Sequence, residues 1–276
     1  MRTVVATLAG AAMLAALAAA AVVYAGVYDV SASTPHTQFV YSLLETAQRQ
    51  SVRMRARSIE PPQVAVSPLR GAACFKARCE QCHGGPGVAP EGIGLGMQPV
   101  PGPLIDASGT WRLREVYWVT RNGVKMTGMP AWRLRMSDAD IWSVAEFVMG
   151  LSRMSAADYA ARMQAAAGER CSTEATASAS AQRAGDPRRG RAVIAQYACR
   201  ACHLIPGVTG ADVHVGPPLG GLARRTTIAG KLPNTIDRLE DWIRFPHRVD
   251  PASAMPDVGV SENDARDIAA YLMTLH

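Results

Sequence analysis

Two short segments of the sequence place a pair of cysteines directly before a histidine, at residues 79–83 and 199–203. In such a C-x-x-C-H segment, two thiols on one turn can form thioethers with the two vinyl groups of one haem. The histidine then lies under the iron and supplies an axial nitrogen. The two copies predict two covalently attached haem c groups. The residues in this prediction are Cys79, Cys82, His83, Cys199, Cys202 and His203.

A zinc site and a redox-active dithiol are the competing interpretations of paired cysteines. A structural zinc site needs further cysteine or histidine ligands at a characteristic spacing. Neither segment has a second nearby C-x-x-C or a spaced histidine pair. A thioredoxin-like dithiol would need a strand before the motif, and these segments lack strand patterning. Haem attachment is therefore the preferred interpretation.

Each motif is followed at a distance by a methionine directly before a proline. The two pairs are Met129-Pro130 and Met255-Pro256. After each pair comes a helical pattern that starts with Ser and acidic residues, over 137–151 and over 261–275. The sequence therefore repeats one structural plan twice.

A glycine precedes each haem motif, and we expect it to open a short helix. These glycines are Gly71 and Gly190. Between the two repeats, residues 172–189 are small, polar and free of aromatic side chains, which is typical of a linker.

Both repeats resemble class I cytochrome c domains over about residues 68–152 and 188–276. In that family a helix carries the C-x-x-C-H motif, a loop supplies methionine as the second axial ligand, and a terminal helix crosses the first. The resemblance implies the axial pairs His83 with Met129 and His203 with Met255. Met126 competes with Met129, which is preferred because the family's ligand usually stands directly before proline. A core-filling role is the other interpretation of Met126.

The second repeat matches in more detail. Its Gly-Pro-Pro-Leu at 216–219, its Leu-Pro-Asn-Thr at 232–235 and its Trp242 resemble mitochondrial-type cytochrome c. They also resemble the cytochrome domain fused to some oxidase subunit II chains.

This resemblance implies three further residue roles in the second repeat. The Pro217 carbonyl would accept a hydrogen bond from the His203 ring, which would fix the imidazole orientation. Arg225 would face a haem propionate, and Trp242 would pack near the haem on the methionine side. In the first repeat, the Pro103-Leu104 pair would take the part of Pro217.

The N-terminus has a nearly unbroken apolar run from Val4 to Val27. This run is long enough to cross a bilayer as a helix, so it predicts an uncleaved membrane anchor. A cleaved signal peptide, with alanines 18–20 near the cleavage site, is the alternative.

A second helix is expected to begin at Thr34-Pro35 and to end before Pro61-Pro62. Basic residues gather near its end, and it would lie on the membrane surface, on a haem domain or on a partner subunit. His36, near its start, is interpreted as an ordinary polar residue. The basic residues are Arg49, Arg53, Arg55 and Arg57.

Two cysteines, Cys74 and Cys171, remain outside the haem motifs. Cys74 stands five residues before Cys79, so it lies in the first helix and cannot attach to the same haem. In an oxidising compartment the two would form a disulfide. Two unpaired thiols, one of them buried, are the alternative.

The formal net charge of +6 is spread along the chain. A nucleic-acid-binding protein would cluster its Lys and Arg on one element, which this chain does not do, so no nucleic-acid partner is predicted.

We therefore predict an all-α protein in which an N-terminal transmembrane helix precedes two class I cytochrome c domains. It would transfer electrons without being an enzyme, with a terminal oxidase, a dehydrogenase or a quinol-oxidising complex as partner. A bacterial cytoplasmic membrane would hold the anchor, with both haem domains on the periplasmic side. A dihaem peroxidase is the alternative. The predicted ranges are 1–33 for the anchor, 34–67 for an amphipathic helix and connector, 68–170 and 188–276 for the two domains, and 171–187 for the linker.

Overall fold

The computed structural model describes residues 2–62, 66–171 and 184–276, and these form two compact units. Unit 1 contains the described residues up to Trp132 together with Asp138–Cys171. Unit 2 contains Arg133–Ser137 and the described residues beyond Cys171. The five residues of Arg133–Ser137 fall inside the range predicted for the first domain, yet they group with unit 2. Most of the predicted linker lies outside the described residues.

The described residues are mainly helical, which confirms the predicted all-α class. The α-helices are α1 (Arg2–Tyr24), α2 (Gln38–Ala56), α3 (Pro68–Arg78), α4 (Glu80–His83), α5 (Gly92–Leu95), α6 (Ala107–Thr110), α7 (Leu113–Asn122), α8 (Asp138–Gly150), α9 (Ala156–Ala165), α10 (Pro187–Val193), α11 (Ile236–Arg244), α12 (Pro246–Val249) and α13 (Glu262–Leu272). Single 3₁₀ turns span Trp132–Leu134, Leu151–Arg153, Cys199–Ala201 and Leu222–Arg224. Unit 2 also has a short antiparallel ladder of β1 (Thr227–Ile228) and β2 (Leu232–Pro233).

Helix α1 has the length and composition of a membrane span. An 18-residue stretch within its 23 residues has a mean hydropathy of 2.1, and every one of its described side chains is exposed. An apolar helix with no protein surface against it is suited to a lipid environment.

Helix α2 begins later than the sequence predicted. It starts at Gln38 after Thr37, whose side chain makes no capping hydrogen bond, and it ends at Ala56, before Pro61-Pro62. The expected start at Thr34-Pro35 is therefore wrong by about one turn. Val52 and Ala56 are buried in unit 1, where α2 packs against α7. The C-terminal half of α2 thus belongs to the first haem-motif unit.

In unit 1 the core forms where α3 crosses α8. The two backbones approach so closely at Gly71 that a Cβ there would lie 2.3 Å from the Ser143 carbonyl oxygen. Phe75 of α3 and Phe147 of α8 meet beside this crossing, with ring centroids 5.3 Å apart, and α9 adds the buried ring of Tyr159. Glycine is required at this position because any side chain would separate the two helices.

Unit 2 repeats this crossing with α10 and α13. A Cβ on Gly190 would lie 1.9 Å from the Asp267 carbonyl oxygen. Neither glycine opens its helix, in contrast to the sequence prediction. Helices α3 and α10 each begin three residues earlier, at a proline, and Ser67 and Asp186 accept hydrogen bonds from the backbone at their starts. Proline at the first helical position has no N–H that would need a partner.

A disulfide joins Cys74 to Cys171 in unit 1. Cys74 is fully buried in α3, and Cys171 lies 97 residues later in the chain, beyond α9. The bond therefore closes most of unit 1 into one covalent loop. The structure therefore agrees with the predicted disulfide and not with two unpaired thiols.

Unit 2 contains two fully buried carboxylates on α13, Asp264 and Asp267. One Arg189 amino group lies 2.7 Å from Asp264 Oδ1 and 2.5 Å from Asp267 Oδ2. Tyr197 donates its hydroxyl to Asp264 at 2.6 Å, and Arg135 pairs with the same carboxylate at 2.8 Å. Buried charges persist only when they are paired and hydrogen-bonded, so this network fixes how α10 meets α13.

We predict that the double substitution Cys74→Ala/Cys171→Ala lowers the free energy of unfolding of unit 1 by about 2–4 kcal/mol, because a long covalent loop is opened. Urea unfolding of the haem-loaded protein, followed by the fluorescence of tryptophans in unit 1, measures this. Reduction of the disulfide in the native protein should lower the free energy of unfolding by the same amount. A double variant as stable as the native protein would show that the disulfide contributes nothing.

We predict that Arg189→Met destabilises unit 2 by about 3 kcal/mol, because Asp264 and Asp267 lose a buried cation. Chemical denaturation measures the change. Arg188→Met is the matched control: Arg188 is the exposed neighbour of Arg189, and its loss should leave stability within about 0.5 kcal/mol. Equal effects of the two substitutions would contradict the role given to Arg189.

Candidate haem sites

The two C-x-x-C-H segments adopt the same local turn. The amide of His83 donates to the Cys79 carbonyl at 3.0 Å, and the amide of His203 donates to the Cys199 carbonyl at 3.0 Å. In unit 1 the segment follows α3 and forms α4, whereas in unit 2 it forms the 3₁₀ turn Cys199–Ala201. One helical turn between the first cysteine and the histidine brings both thiols and the ring to one site, as haem attachment requires. None of the four motif cysteines forms a disulfide.

Both motif histidines are oriented by a backbone carbonyl. His83 Nδ1 lies 2.8 Å from the Gly102 oxygen, and His203 Nδ1 lies 2.8 Å from the Pro217 oxygen. A carbonyl only accepts, so Nδ1 must carry the proton, and Nε2 keeps its lone pair for a metal. The bond expected at Pro217 is present. In unit 1 the acceptor is Gly102, so the assignment to Pro103 was wrong by one residue.

Burial governs the protonation of these side chains. Removal from water lowers the pKa of His83, and the hydrogen bond to Gly102 opposes that shift only partly. Burial also raises the pKa of the Cys79 thiol to about 12, with a smaller contribution from Cys82, and it raises the pKa of Cys199. The neutral imidazole is the form that binds a metal, so the His83 environment suits an axial ligand.

Gly216 lies against the face of the His203 ring. A Cβ on Gly216 would be 2.4 Å from Cε1 and 2.7 Å from Nδ1 of that ring. Such a contact is shorter than side chains tolerate, so the absence of a side chain at 216 lets the imidazole reach the Pro217 carbonyl. The Gly-Pro-Pro-Leu sequence thus provides both the space and the acceptor for the ring.

The two Met-Pro loops share a hydrogen bond that the sequence analysis missed. The Met129 amide donates to Thr127 Oγ1 at 3.1 Å, and the Met255 amide donates to Ser253 Oγ at 3.1 Å. Both methionines are half-buried, whereas Met126 is 97% exposed. The sequence does carry a signal for this bond, because a hydroxyl residue stands two positions before each methionine.

Arg225 and Trp242, also assigned to the second site, have other contacts within unit 2. The Arg225 guanidinium donates to the Pro218 carbonyl at 2.5 Å. Trp242 lies on α11, half-buried against the apolar core of the unit. Arg225 therefore braces the same loop that holds His203, and its orientation toward a propionate stays a prediction.

Sequence reasoning also missed a contact between Tyr159 and the first haem motif. Its hydroxyl donates to Glu80 Oε2 at 2.5 Å, inside the first haem motif, and burial raises the pKa of the phenol. No motif marks this residue, because it lies on α9, beyond the segment that resembles a cytochrome c domain. The contact ties that extra helix to the haem-motif turn.

Comparison with known proteins assigns both repeats. Residues 67–148 match the family described as cytochrome c oxidase, cbb3-type, subunit III, and residues 187–276 match the cytochrome c family. The chain carries two cytochrome c-type domains. Such domains indicate an electron carrier that binds haem c. The two motif turns fit this group, because each provides two thiols and an imidazole with a free Nε2.

One curated relative is a cytochrome c oxidase subunit 2 of Alkalihalophilus pseudofirmus, 35% identical over 88 residues. The match covers 32% of this chain and 25% of the relative, so the chain corresponds to about a quarter of that protein. No solved structure matches the chain.

We predict that Gly216→Ala displaces the His203 ring, because the added Cβ occupies the space of the imidazole. The expected cost is about 1–3 kcal/mol, typical of an overpacked site. Visible spectra and haem quantitation should show one of the two cytochrome c domains perturbed.

Gly220→Ala is the control for this substitution, since a Cβ there would meet only Pro206 at an ordinary 3.5 Å. Spectra of Gly216→Ala that match those of Gly220→Ala and of the native protein would contradict the packing of Gly216 on the ring.

Proposed function

We propose that the chain is a membrane-anchored dihaem cytochrome c that transfers electrons in a respiratory chain. The observation that carries this proposal is the duplication of one complete donor set, each with a C-x-x-C-H turn, a carbonyl-oriented histidine and a Met-Pro loop. When bound, haem supplies reversible one-electron chemistry, and the protein sets its potential and its surroundings.

The proposed ligand sets assign a role to each residue. Cys79 and Cys82 would hold the first haem, with His83 and Met129 as its iron ligands. Cys199 and Cys202 would hold the second haem, with His203 and Met255 as its iron ligands. Half-burial of Met129 and the high exposure of Met126 support this choice of methionine. Ligation of each iron by both a histidine and a methionine would leave no position for oxygen or peroxide, which favours electron transfer over catalysis.

The proposed partner is a terminal oxidase, with a dehydrogenase or quinol-oxidising complex as the source of electrons. Both the cbb3-type match of the first domain and the similarity of 88 residues of the chain to an oxidase subunit 2 support an oxidase. Helix α1 supports a single-pass anchor. Haem attachment to C-x-x-C-H occurs on the periplasmic side in bacteria, so the haem domains would lie there.

A dihaem peroxidase remains the second candidate function. It requires one haem with a labile or missing sixth ligand. The equivalent hydrogen bonds at Met129 and Met255 favour two equivalent methionine loops and so argue against it.

We expect two low-spin haems per chain. Met129→Ala and Met255→Ala should each convert one haem from low spin to high spin, because its iron loses the methionine, and should leave the other haem low-spin. Reduced-minus-oxidised spectra with haem quantitation measure this on protein taken from membranes. Met126→Ala is the matched control and should leave both spectra unchanged.

Two results would contradict this proposal. A spectral change in Met126→Ala with none in Met129→Ala would show that Met126, and not Met129, is the ligand. A high-spin haem in the native protein, together with turnover of hydrogen peroxide, would favour the peroxidase.

A further inference from the structure

Unit 1 has a cavity of about 400 Å³ with an unusual concentration of arginine, between α2 and the start of α7. Two of the arginines lie at the end of α2, and two lie at the start of α7. The lining residues are Arg53, Arg57, Thr110, Arg112, Arg114 and Glu115.

The charge of this cavity is not balanced by the protein. Four arginines and one glutamate line it, and none of the four arginines forms an ion pair with a described residue. Arg53, Arg57 and Arg112 are exposed, and Arg114 is half-buried. Like charges grouped in a concave site repel one another, and the low-dielectric walls strengthen their field. Water and salt screen the exposed members of this group, and an anion that enters the cavity would meet four guanidinium groups at once.

Hydrogen bonding in the cavity is also incomplete. Arg114 Nε is buried and has no hydrogen-bond partner among the described residues. One oxygen of the buried Glu115 carboxylate, Oε2, already accepts from the Arg112 backbone N–H at 2.9 Å, at the start of α7. A buried donor without an acceptor costs free energy, which an acceptor in the cavity would recover.

We propose that this arginine cavity binds a phosphate group. Phosphate oxygens match the planar fork of donors on a guanidinium, and several forks can share one phosphate. The group would belong either to the headgroup of an anionic phospholipid or to a soluble phosphate. The proposal does not depend on the assignment of the haem ligands, because none of those residues lines the cavity.

The other end of α2 favours the phospholipid as the source. Phe39, Leu43 and Leu44 are exposed there, with Phe39 77% exposed, while the buried contacts of α2 with unit 1 lie in its C-terminal half. Only residues 25–37 separate α2 from the apolar helix α1. A helix with exposed apolar residues at one end and arginines at the other suits an interface that contains anionic headgroups.

The test uses the haem-loaded full-length chain in detergent. Isothermal titration with inorganic phosphate measures occupancy by soluble phosphate. Native mass spectrometry after incubation with phosphatidylglycerol or with phosphatidylcholine measures retained lipid, and inorganic phosphate is then added as competitor. The variants are Arg53→Gln/Arg57→Gln, confined to α2, and Arg57→Gln/Arg114→Gln, with one change on each helix.

The control variant Arg55→Gln/Arg162→Gln removes the same charge from exposed positions outside the cavity. Each cavity guanidinium removed should weaken binding about tenfold, the value of a charge-assisted hydrogen bond. The control should bind like the native protein. Unchanged haem spectra in all three variants establish that the domains are folded.

Each outcome decides the proposal. Retention of phosphatidylglycerol but not phosphatidylcholine, lost in the cavity variants, supports the site and assigns it to a lipid. Binding of inorganic phosphate with no lipid preference supports the site and assigns it to a soluble phosphate. The proposal is wrong if neither probe binds, or if cavity and control variants bind equally. It is also wrong if the cavity variants shift a haem midpoint potential without changing phosphate affinity, since the arginines would then serve the haem.

Discussion

The direct contact between two helix backbones at one glycine is the constraint on which each unit depends. Gly71 lies on the Ser143 carbonyl in unit 1, and Gly190 lies on the Asp267 carbonyl in unit 2. At this distance any side chain would separate the helices by more than the packing can absorb. The crossing fixes the helix that precedes each C-x-x-C-H turn, and so it fixes where the thiols and the imidazole can meet a haem. The loops that carry the Gly102 and Pro217 carbonyls then orient the two imidazoles.

The two units stabilise this common crossing by different means. Unit 1 surrounds it with aromatic rings, adds α9, and closes it with the disulfide from Cys74. Unit 2 has no equivalent extra helix among its described residues, and it places the buried pair Asp264 and Asp267 against Arg189. A covalent loop acts mainly by restricting the unfolded chain, whereas a buried ion network acts through the geometry of the folded state. The same donor set is therefore compatible with two different sources of stability.

The sequence was sufficient to predict whatever depends on short spacing. The C-x-x-C-H turns, the repeated plan, the all-α class and the Pro217 acceptor follow from residues close together in the chain or from a family pattern. Contacts between distant segments were not predictable in this way. The hydroxyl of Tyr159 reaches Glu80 from a helix outside the family pattern, and the acceptor for His83 shifted from Pro103 to Gly102 because loop length sets which carbonyl meets the ring.

The first motif helix must keep two sulfur chemistries apart, since Cys74 forms a disulfide while Cys79 must stay a thiol until a haem is attached. The fold keeps these two cysteines apart in two ways: Cys74 already has a bonding partner, and Cys79 has a low reactivity. Cys74 is buried against Cys171, so its sulfur is already bonded. Burial raises the pKa of Cys79 to about 12, which leaves almost no thiolate at neutral pH. Because thiolate is the species that attacks a disulfide, the folded unit suppresses exchange between the two. Burial of α3 and of the cysteine directly after it thus protects both the covalent loop and the thiol that the haem needs.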